Sequence, residues 1–437
     1  MKKTLKKKMM IAAIAGSFTV GSFIGITSLQ PAEAKESQSN EKVENVIFMI
    51  PDGYSSSYAT NYRLYKGEES VMDSHLVGMH RTYSANSEVT DSAAAGTAMA
   101  TGTKTNNGVI SMDPDGNKLE SILQAAEKSG KSSGLVATST ITHATPAVFA
   151  SNVATRANEK DIAPQFLQND VDVILGGGKK YFSDDLLNQA KQDGYEIVSD
   201  AQSLNNVKNV KNADKLIGLF AEDSLAPELD RETTNEPSLK EMTAAAIDVL
   251  SKDKDGFFLM VEGSQIDWAG HDNDAAWAMK DAEAFENAVE AALDFAKKDK
   301  KTLVVIAGDH DTGGMSVGGY DGSGANLEIL KNVTATGDFM AAQLNEERTN
   351  IQEIVLEYAN ITLTEAEIDQ IKQASNPSFQ INSIISKHAL VGWTHTGHTG
   401  TDIPVYAYGP QAHKFAGLIE NTDFPQLMAE AMKIPFN

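Results

Sequence analysis

The segment 90–102, TDSAAAGTAMATG, sets one hydroxyl directly behind an aspartate at the expected start of a small-residue helix. Ser92 would stand where unpaired helix amides and the helix dipole favour a negative charge. The same Asp-Ser pair also reads as an ordinary capped helix with Asp91 or Ser92 as N-cap, and the motif alone supports either reading. Asp267 and His271 lie four apart in GSQIDWAGHDND, a spacing that puts both on one helix face. Asp309-His310-Asp311 follows an apolar run, and His395 and His398 sit in WTHTGHTG, where the glycines point to a tight loop. A lone histidine is more often a surface or core residue than a ligand. Four of them in acid-flanked, glycine-rich segments favour a metal centre.

Imidazoles with carboxylates suit zinc, and an all-oxygen subset suits magnesium. The chemistry that joins such a centre to a serine is displacement at phosphorus. Two metals about 4 Å apart would share the work, one lowering the pKa of the serine hydroxyl and one neutralising the leaving oxygen. No general-base histidine beside the serine is evident, and this scheme needs none.

Such residues must be positioned by a sheet. The apolar run 43–50 reads as a strand buried on both faces and ends in Pro51-Asp52-Gly53. The runs 257–261 and 303–307 deliver Glu262-Gly263 and Gly308-Asp309-His310 in the same way. In open α/β sheets ligands bind outside the carboxyl ends of strands, so the three acids should gather at one edge. Further strands are expected at 134–138, 171–175 and 403–408, with helices at 119–129, 239–250 and 275–298. The alternation predicts an α/β fold, a three-layer sandwich with a central, mostly parallel sheet flanked by helices. Residues 181–237 and 326–386 read as surface insertions; the second includes LTEAEIDQIKQA with Thr364 as a helix N-cap.

The first 34 residues read as a signal peptide: Lys2, Lys3, Lys6, Lys7 and Lys8 precede the mostly apolar 9–29 stretch, and Ala32-Glu33-Ala34 offers small residues for cleavage. A retained anchor is the alternative, since the apolar run approaches spanning length. Cleavage predicts a secreted protein, extracellular or wall-associated (periplasmic where there is an outer membrane), with no membrane span. Residues 35–437 would form a single catalytic domain. Removing those five lysines and Glu33 takes the formal charge from −23 to −27, which argues against dedicated nucleic-acid binding. The absence of cysteine excludes disulfides, thiol catalysis and thiolate metal ligands.

The landmarks, taken together and in order, resemble the bacterial alkaline phosphatases. They are PDG at 51–53, TDSAAAGTAMATG at 90–102, ATPA at 144–147, VEGSQID at 261–267, GDH at 308–310, HTG at 398–400 and YAYGP at 406–410. The resemblance implies a homodimer that hydrolyses phosphate monoesters and releases inorganic phosphate, with two zinc ions and one magnesium per subunit. By this resemblance Ser92 is the nucleophile that forms a phosphoserine and Arg156 clamps the phosphate. Asp52, Asp309, His310 and Ser92 match the ligands of one zinc, and Asp267, His271 and His398 those of the other. Asp52, Thr145 and Glu262 match the magnesium site.

Two positions depart from the enterobacterial pattern, which has aspartate where this chain has His143 and lysine where it has Trp268. Both lie around the third metal and the phosphate, so His143 is a candidate third-metal ligand that would admit zinc or cobalt. Trp268 removes a positive charge. His395 matches no core ligand and is either a residue behind the ligands, a further third-metal candidate, or a solvent-facing loop histidine. Two other readings stand beside the phosphomonoesterase: a phosphodiesterase or sulfatase of the same general fold, and a non-catalytic secreted protein that binds metal or phosphate.

Overall fold

The computed structural model describes residues 42–207, 213–320 and 324–436; the signal-peptide reading over 1–34 lies outside them. The run expected at 43–50 forms strand β1 (Asn45–Pro51), buried along its whole length. Its side chains alternate between two cores: Ile47 and Met49 enter one, and Val46, Phe48 and Ile50 the other. A strand covered on both faces has no polar side, hence the unbroken apolar run.

Nine more strands join it. In chain order they are β2 (Leu76–Arg81), β3 (Ser132–Thr140), β4 (Val173–Gly177), β5 (Tyr195–Val198), β6 (Lys215–Leu219), β7 (Phe257–Gly263), β8 (Thr302–Ala307), β9 (Ile403–Tyr408) and β10 (Gly417–Glu420). Their order across the sheet is β10-β2-β9-β8-β1-β7-β3-β4-β6-β5. All neighbours run parallel except β9, which is antiparallel to both β8 and β2. Helices Leu239–Leu250 and Ala275–Asp299 pack on one face, and helices Ser92–Thr101, Ile122–Lys128, Ala144–Ala150 and Asp423–Met432 on the other. The architecture is therefore the expected α/β sandwich.

Local signals explain most boundaries. Ser238 and Glu241 form a capping box on Leu239–Leu250, and Ser121 and Gln124 form one on Ile122–Lys128, three residues inside the expected start at 119. Thr364 and Glu367 do the same for Glu365–Gln373. Asp274 caps the 25-residue helix Ala275–Asp299 by accepting from Ala276 N and Trp277 N. Its other oxygen accepts from Gly337 N at 3.1 Å, which ties the helix start to the 326–386 segment. β4 lies two residues later than expected and includes Gly176 and Gly177. A Cβ at Gly177 would stand 2.1 Å from Asp223 O, so the glycines let the strand run against the 223 backbone instead of ending it.

The segment 181–237 contributes β5 and β6, which extend the sheet at one edge. At the other edge, β2 and β10 were not visible as sequence patterns, being short and largely open to solvent. The 326–386 segment is helical and buries Met340, Ile351 and Ile381 in the first core. Among the described residues no helix is long and apolar enough to cross a membrane.

The central trio β8-β1-β7 positions the chemistry. Ile50 pairs with Glu262 and Pro51 with Gly263, so Asp52 leaves β1 beside the end of β7, while Asp309 leaves β8 on the other side. Adjacent strands lie about 4.8 Å apart, which brings the three carboxylates into one neighbourhood. Gly263 is packed against Phe285: a Cβ there would stand 2.7 Å from its ring. Gly263→Val is expected to lower the unfolding free energy by about 1–3 kcal/mol through overpacking, read as a lower denaturant midpoint at unchanged slope.

Candidate active site

Asp91, not Ser92, caps the helix Ser92–Thr101: its backbone is extended and its Oδ1 accepts from Ala94 N at 3.0 Å. The Ser92 hydroxyl is thereby free of capping. It is buried at the first helical position, with Oγ 3.2 Å from His310 Nε2. The small residues of this helix answer to close packing; a Cβ on Gly96 would meet Val148 at 3.0 Å.

Around Ser92 the acids and histidines of the three strand ends converge. Asp52, Asp309 and His310 form one group whose ligand atoms lie within 4.8 Å of one another, and Asp267, His310 and His398 form a second. In the first, His310 Nε2 is 3.5 Å from Asp52 Oδ1 and 3.3 Å from Asp309 Oδ2. His271 completes the second side: its Nε2 is 3.3 Å from Asp267 Oδ2 and 3.3 Å from His398 Nε2, and His398 Nε2 is 3.4 Å from Asp267 Oδ1. The two sides meet at His310, whose ring stacks on His398 with centroids 3.7 Å apart.

Backbone carbonyls aim these rings. His271 Nδ1 lies 2.6 Å from Thr396 O and His398 Nδ1 2.8 Å from Thr90 O. Each ring thus turns Nε2 inward, as histidines that hold metals do. Gly53 makes the turn after Asp52 possible, with φ +74° and no room for a side chain, since a Cβ would stand 2.9 Å from Asp267 Cα.

The electrostatics of the group are unbalanced. Burial, reinforced by Asp309, Asp267 and Glu262, pushes the Asp52 carboxyl well above its ordinary range. Burial and Asp267 push Asp309 up to about 6, and burial pushes Glu262 up to about 7. Asp267 goes the other way, because hydrogen bonds with His271 and His398 outweigh its burial. The same bond raises His271 to about 9, whereas burial and the neighbouring His398 hold His310 well below its ordinary value. Asp52 Oδ1, Asp309 Oδ2 and Glu262 Oε1 are buried without a hydrogen-bond partner among the described residues. Buried carboxylate oxygens facing one another and a bare imidazole nitrogen are the donor set of a divalent cation. The residues present fit such ions.

Thr145, at the start of helix Ala144–Ala150, places Oγ1 3.5 Å from Asp52 Oδ2, and Glu262 accepts from Ser139 Oγ at 3.4 Å. Asp52, Thr145 and Glu262 therefore supply an all-oxygen corner. His143 stands beside it at the N-cap of the same helix, with Nδ1 buried and unpartnered and its ring edge-on to Trp268 at 5.7 Å. Burial and Arg156 hold the His143 ring down to about 3. Arg156 donates from Nη2 to His143 Nε2 at 2.9 Å and from Nη1 to Asp91 Oδ2 at 3.1 Å. His395 does not join the cluster: it is exposed, and its Nδ1 accepts from Gly397 N at 2.8 Å to close its own loop.

Sequence reasoning missed His80 and Thr312, and it read Asp91 only as a cap candidate without its bond to Arg156. Asp91 holds Arg156 as well as the helix. His80, buried on β2, places Nε2 2.8 Å from Gly308 O and braces the turn before Asp309. Thr312 donates from Oγ1 to Asp267 Oδ1, and its Oγ1 is 3.3 Å from His310 Nδ1. Asp91 carried the signal of its place before Ser92 and Thr312 that of its place two residues after His310; His80 carried none.

Comparison with known proteins agrees with this geometry. The family described as alkaline phosphatase matches residues 43–434. Alkaline phosphatase 3 of Bacillus subtilis is 42% identical, over 99% of this chain and 98% of its own length. Among solved structures, the cold-active alkaline phosphatase of a psychrophilic Shewanella superposes with a TM-score of 0.83 at 35% identity, covering 89% of this chain and 99% of that one. The Thermus thermophilus alkaline phosphatase gives 0.82 at 28% identity, over 94% and 98%. With buried acids and histidines gathered around a free serine hydroxyl, and with matches running nearly end to end, the chain belongs to the alkaline phosphatase family and is a metal-dependent phosphomonoesterase.

Proposed function

We propose that this enzyme transfers the phosphoryl group of a phosphate monoester to Ser92 and then to water. The observation that carries this is the uncapped, buried Ser92 Oγ, 3.2 Å from His310 Nε2 at the meeting point of the two ligand groups. Ser92 Oγ bonds to phosphorus as the bond to the ester oxygen breaks, the serine proton ending on the departing alcohol. The oxygen of water then displaces Ser92 Oγ from phosphorus, a water proton returning to Oγ, which frees inorganic phosphate and restores the hydroxyl. The free amides of the first helical turn favour the charge on the transferring group. Arg156 clamps it: each Nη carries two N–H groups, and the bonds to Asp91 and His143 use one apiece, leaving the others for phosphate oxygens.

Asp52, Asp309, His310 and Ser92 would hold one zinc, Asp267, His271 and His398 another, and Asp52, Thr145 and Glu262 a magnesium. These ions supply Lewis acidity that favours the serine alkoxide and neutralises the leaving oxygen. The unpartnered Nδ1 of His143 supports a third site that also admits zinc or cobalt. Trp268, edge-on to His143, takes a place where a lysine would add charge beside the phosphate.

The catalytic domain of this reading is 35–437, with 181–237 and 326–386 as its insertions, exported after cleavage behind Ala34 and working as a homodimer. The N-terminal lysines and apolar stretch support export, and the near end-to-end match to alkaline phosphatases supports one domain.

Ser92→Ala is expected to lower kcat by about a thousandfold or more and to abolish the acid-stable phosphoprotein formed from labelled substrate. Chelation is expected to stop hydrolysis of a chromogenic monoester, and zinc with magnesium to restore it. Equal rates on the corresponding diester would favour the phosphodiesterase reading instead. Trp268→Lys is expected to tighten inhibition by inorganic phosphate about tenfold, the effect of one hydrogen bond to a charged group; unchanged inhibition would count against the role given to Trp268. N-terminal sequencing of protein from the culture medium should begin at Lys35, and its mass in solution should be that of two chains; an intact N-terminus or a monomer would refute those parts.

A further inference from the structure

Thr312 is fully buried between the two ligand groups and held on every side. Its N–H donates to Gly53 O at 3.2 Å, its carbonyl accepts from Tyr58 Oη at 2.6 Å, and it pairs with His398 in a short antiparallel ladder. Two glycines leave room for its side chain. A Cβ on Gly53 would stand 2.8 Å from Thr312 Oγ1, and one on Gly270 2.9 Å from its Cγ2. Packing this close fixes the rotamer, so the direction of the hydroxyl is set by the fold.

A threonine hydroxyl has one proton and two lone pairs. Oγ1 gives its proton to Asp267 Oδ1, an ionised carboxylate that only accepts. The contact with His310 Nδ1 at 3.3 Å must then run the other way, with Nδ1–H donating to Oγ1. This leaves Nε2 of His310 bare, and Nε2 is the atom that faces Ser92 Oγ, Asp52 Oδ1 and Asp309 Oδ2. A bare nitrogen opposite two ionised carboxylate oxygens is repulsive unless a cation or a proton lies between them. One hydroxyl therefore selects the tautomer of His310 on one side of the centre and occupies one oxygen of Asp267 on the other.

We propose that Thr312 is a positioning residue that presets both metal groups through a hydrogen-bonded relay, His310 Nδ1–H to Thr312 Oγ1–H to Asp267 Oδ1. The inference rests on the ligand reading given above. It makes the groups interdependent: removing the hydroxyl frees the His310 ring to take either tautomer and frees Asp267 Oδ1 to turn.

The test measures zinc retention by the purified protein in competition with a chromogenic chelator, and the tautomer of His310 from the 15N shifts of its ring in the metal-free protein. Thr312→Val keeps the shape and loses the hydroxyl. It is expected to release zinc from both groups at about 10- to 100-fold lower chelator strength, and to lose the single-tautomer signature of His310. Thr312→Ser, which restores the donor and acceptor, is expected to behave as the parent in both measurements. Thr312→Ala serves if the valine variant fails to fold. Parent-like zinc retention and ring shifts in the valine or alanine variant would overturn the proposal and leave the ligand reading intact. Loss of zinc by the serine variant would also overturn it, because the hydroxyl would then not be responsible. A parent protein that binds no zinc would instead overturn the ligand reading itself.

Discussion

Four carboxylates are buried together, those of Asp52, Glu262 and Asp309 at the ends of adjacent parallel strands and that of Asp267 on the helix that follows one of them. Among the described residues Asp52, Asp267 and Asp309 form ion pairs with histidines alone and Glu262 forms none. Without a compensating cation this is among the least favourable arrangements a fold can contain, since burying an unpaired charge costs several kcal/mol. The rest of the molecule is organised around holding it. Strands with continuous apolar sequences are needed because their termini must reach this point from a fully covered sheet. Glycines at 53, 263 and 308 flank the acids because neighbouring atoms, the Asp267 backbone and Thr312 hydroxyl at 53, the Phe285 ring at 263 and the backbone of Pro51 and Tyr54 at 308, stand too close for a side chain. The same crowding that makes the acids unstable alone makes them a strong cation receptor together.

The serine is presented to this centre by a second device. Asp91 accepts from Ala94 N of the first turn with one oxygen and holds Arg156 and Gly108 N with the other. A single carboxylate thus fixes the helix that carries the nucleophile, the loop at 108 and the guanidinium opposite. Arg156 is in turn bonded to His143, which starts the helix bearing Thr145. The phosphate end and the all-oxygen corner are therefore joined through three side chains, so a change at either is transmitted to the other by direct contact.

How much of this was legible in the sequence depends on the range of the interaction concerned. The central strands were readable because burial on both faces leaves an unbroken apolar run, and the helix starts because caps are local. Strand order was not, since adjacency of β1 to β7 and β8 joins segments more than two hundred residues apart. The edge strand β10 and its neighbour β2 lacked a burial signature, being exposed or only partly buried except at His80. At the site, the acids and histidines stood out by type and by their glycine neighbours, and all but His395 converge. Which of Asp91 and Ser92 caps the helix was undecidable, because both are good caps and the choice is made by packing. Thr312 and the Asp91–Arg156 pair escaped notice because hydroxyls and surface charges are common, and contacts spanning 45 and 65 residues give them meaning. His143 and Trp268 drew attention only through family resemblance.

Asp274 has a bearing on how this architecture can change over generations. One of its oxygens caps the long helix behind the sheet and the other receives Gly337 N, so the region 326–386 is hydrogen-bonded into the scaffold a few residues from His271. That region looks like ornament in a linear sequence. Excising it would leave one oxygen of a buried aspartate without its Gly337 partner and strip cover from the first core. Length variation there is thus not free: a lineage that trims the excursion must also redesign the start of the long helix, and the two are bound to diverge together.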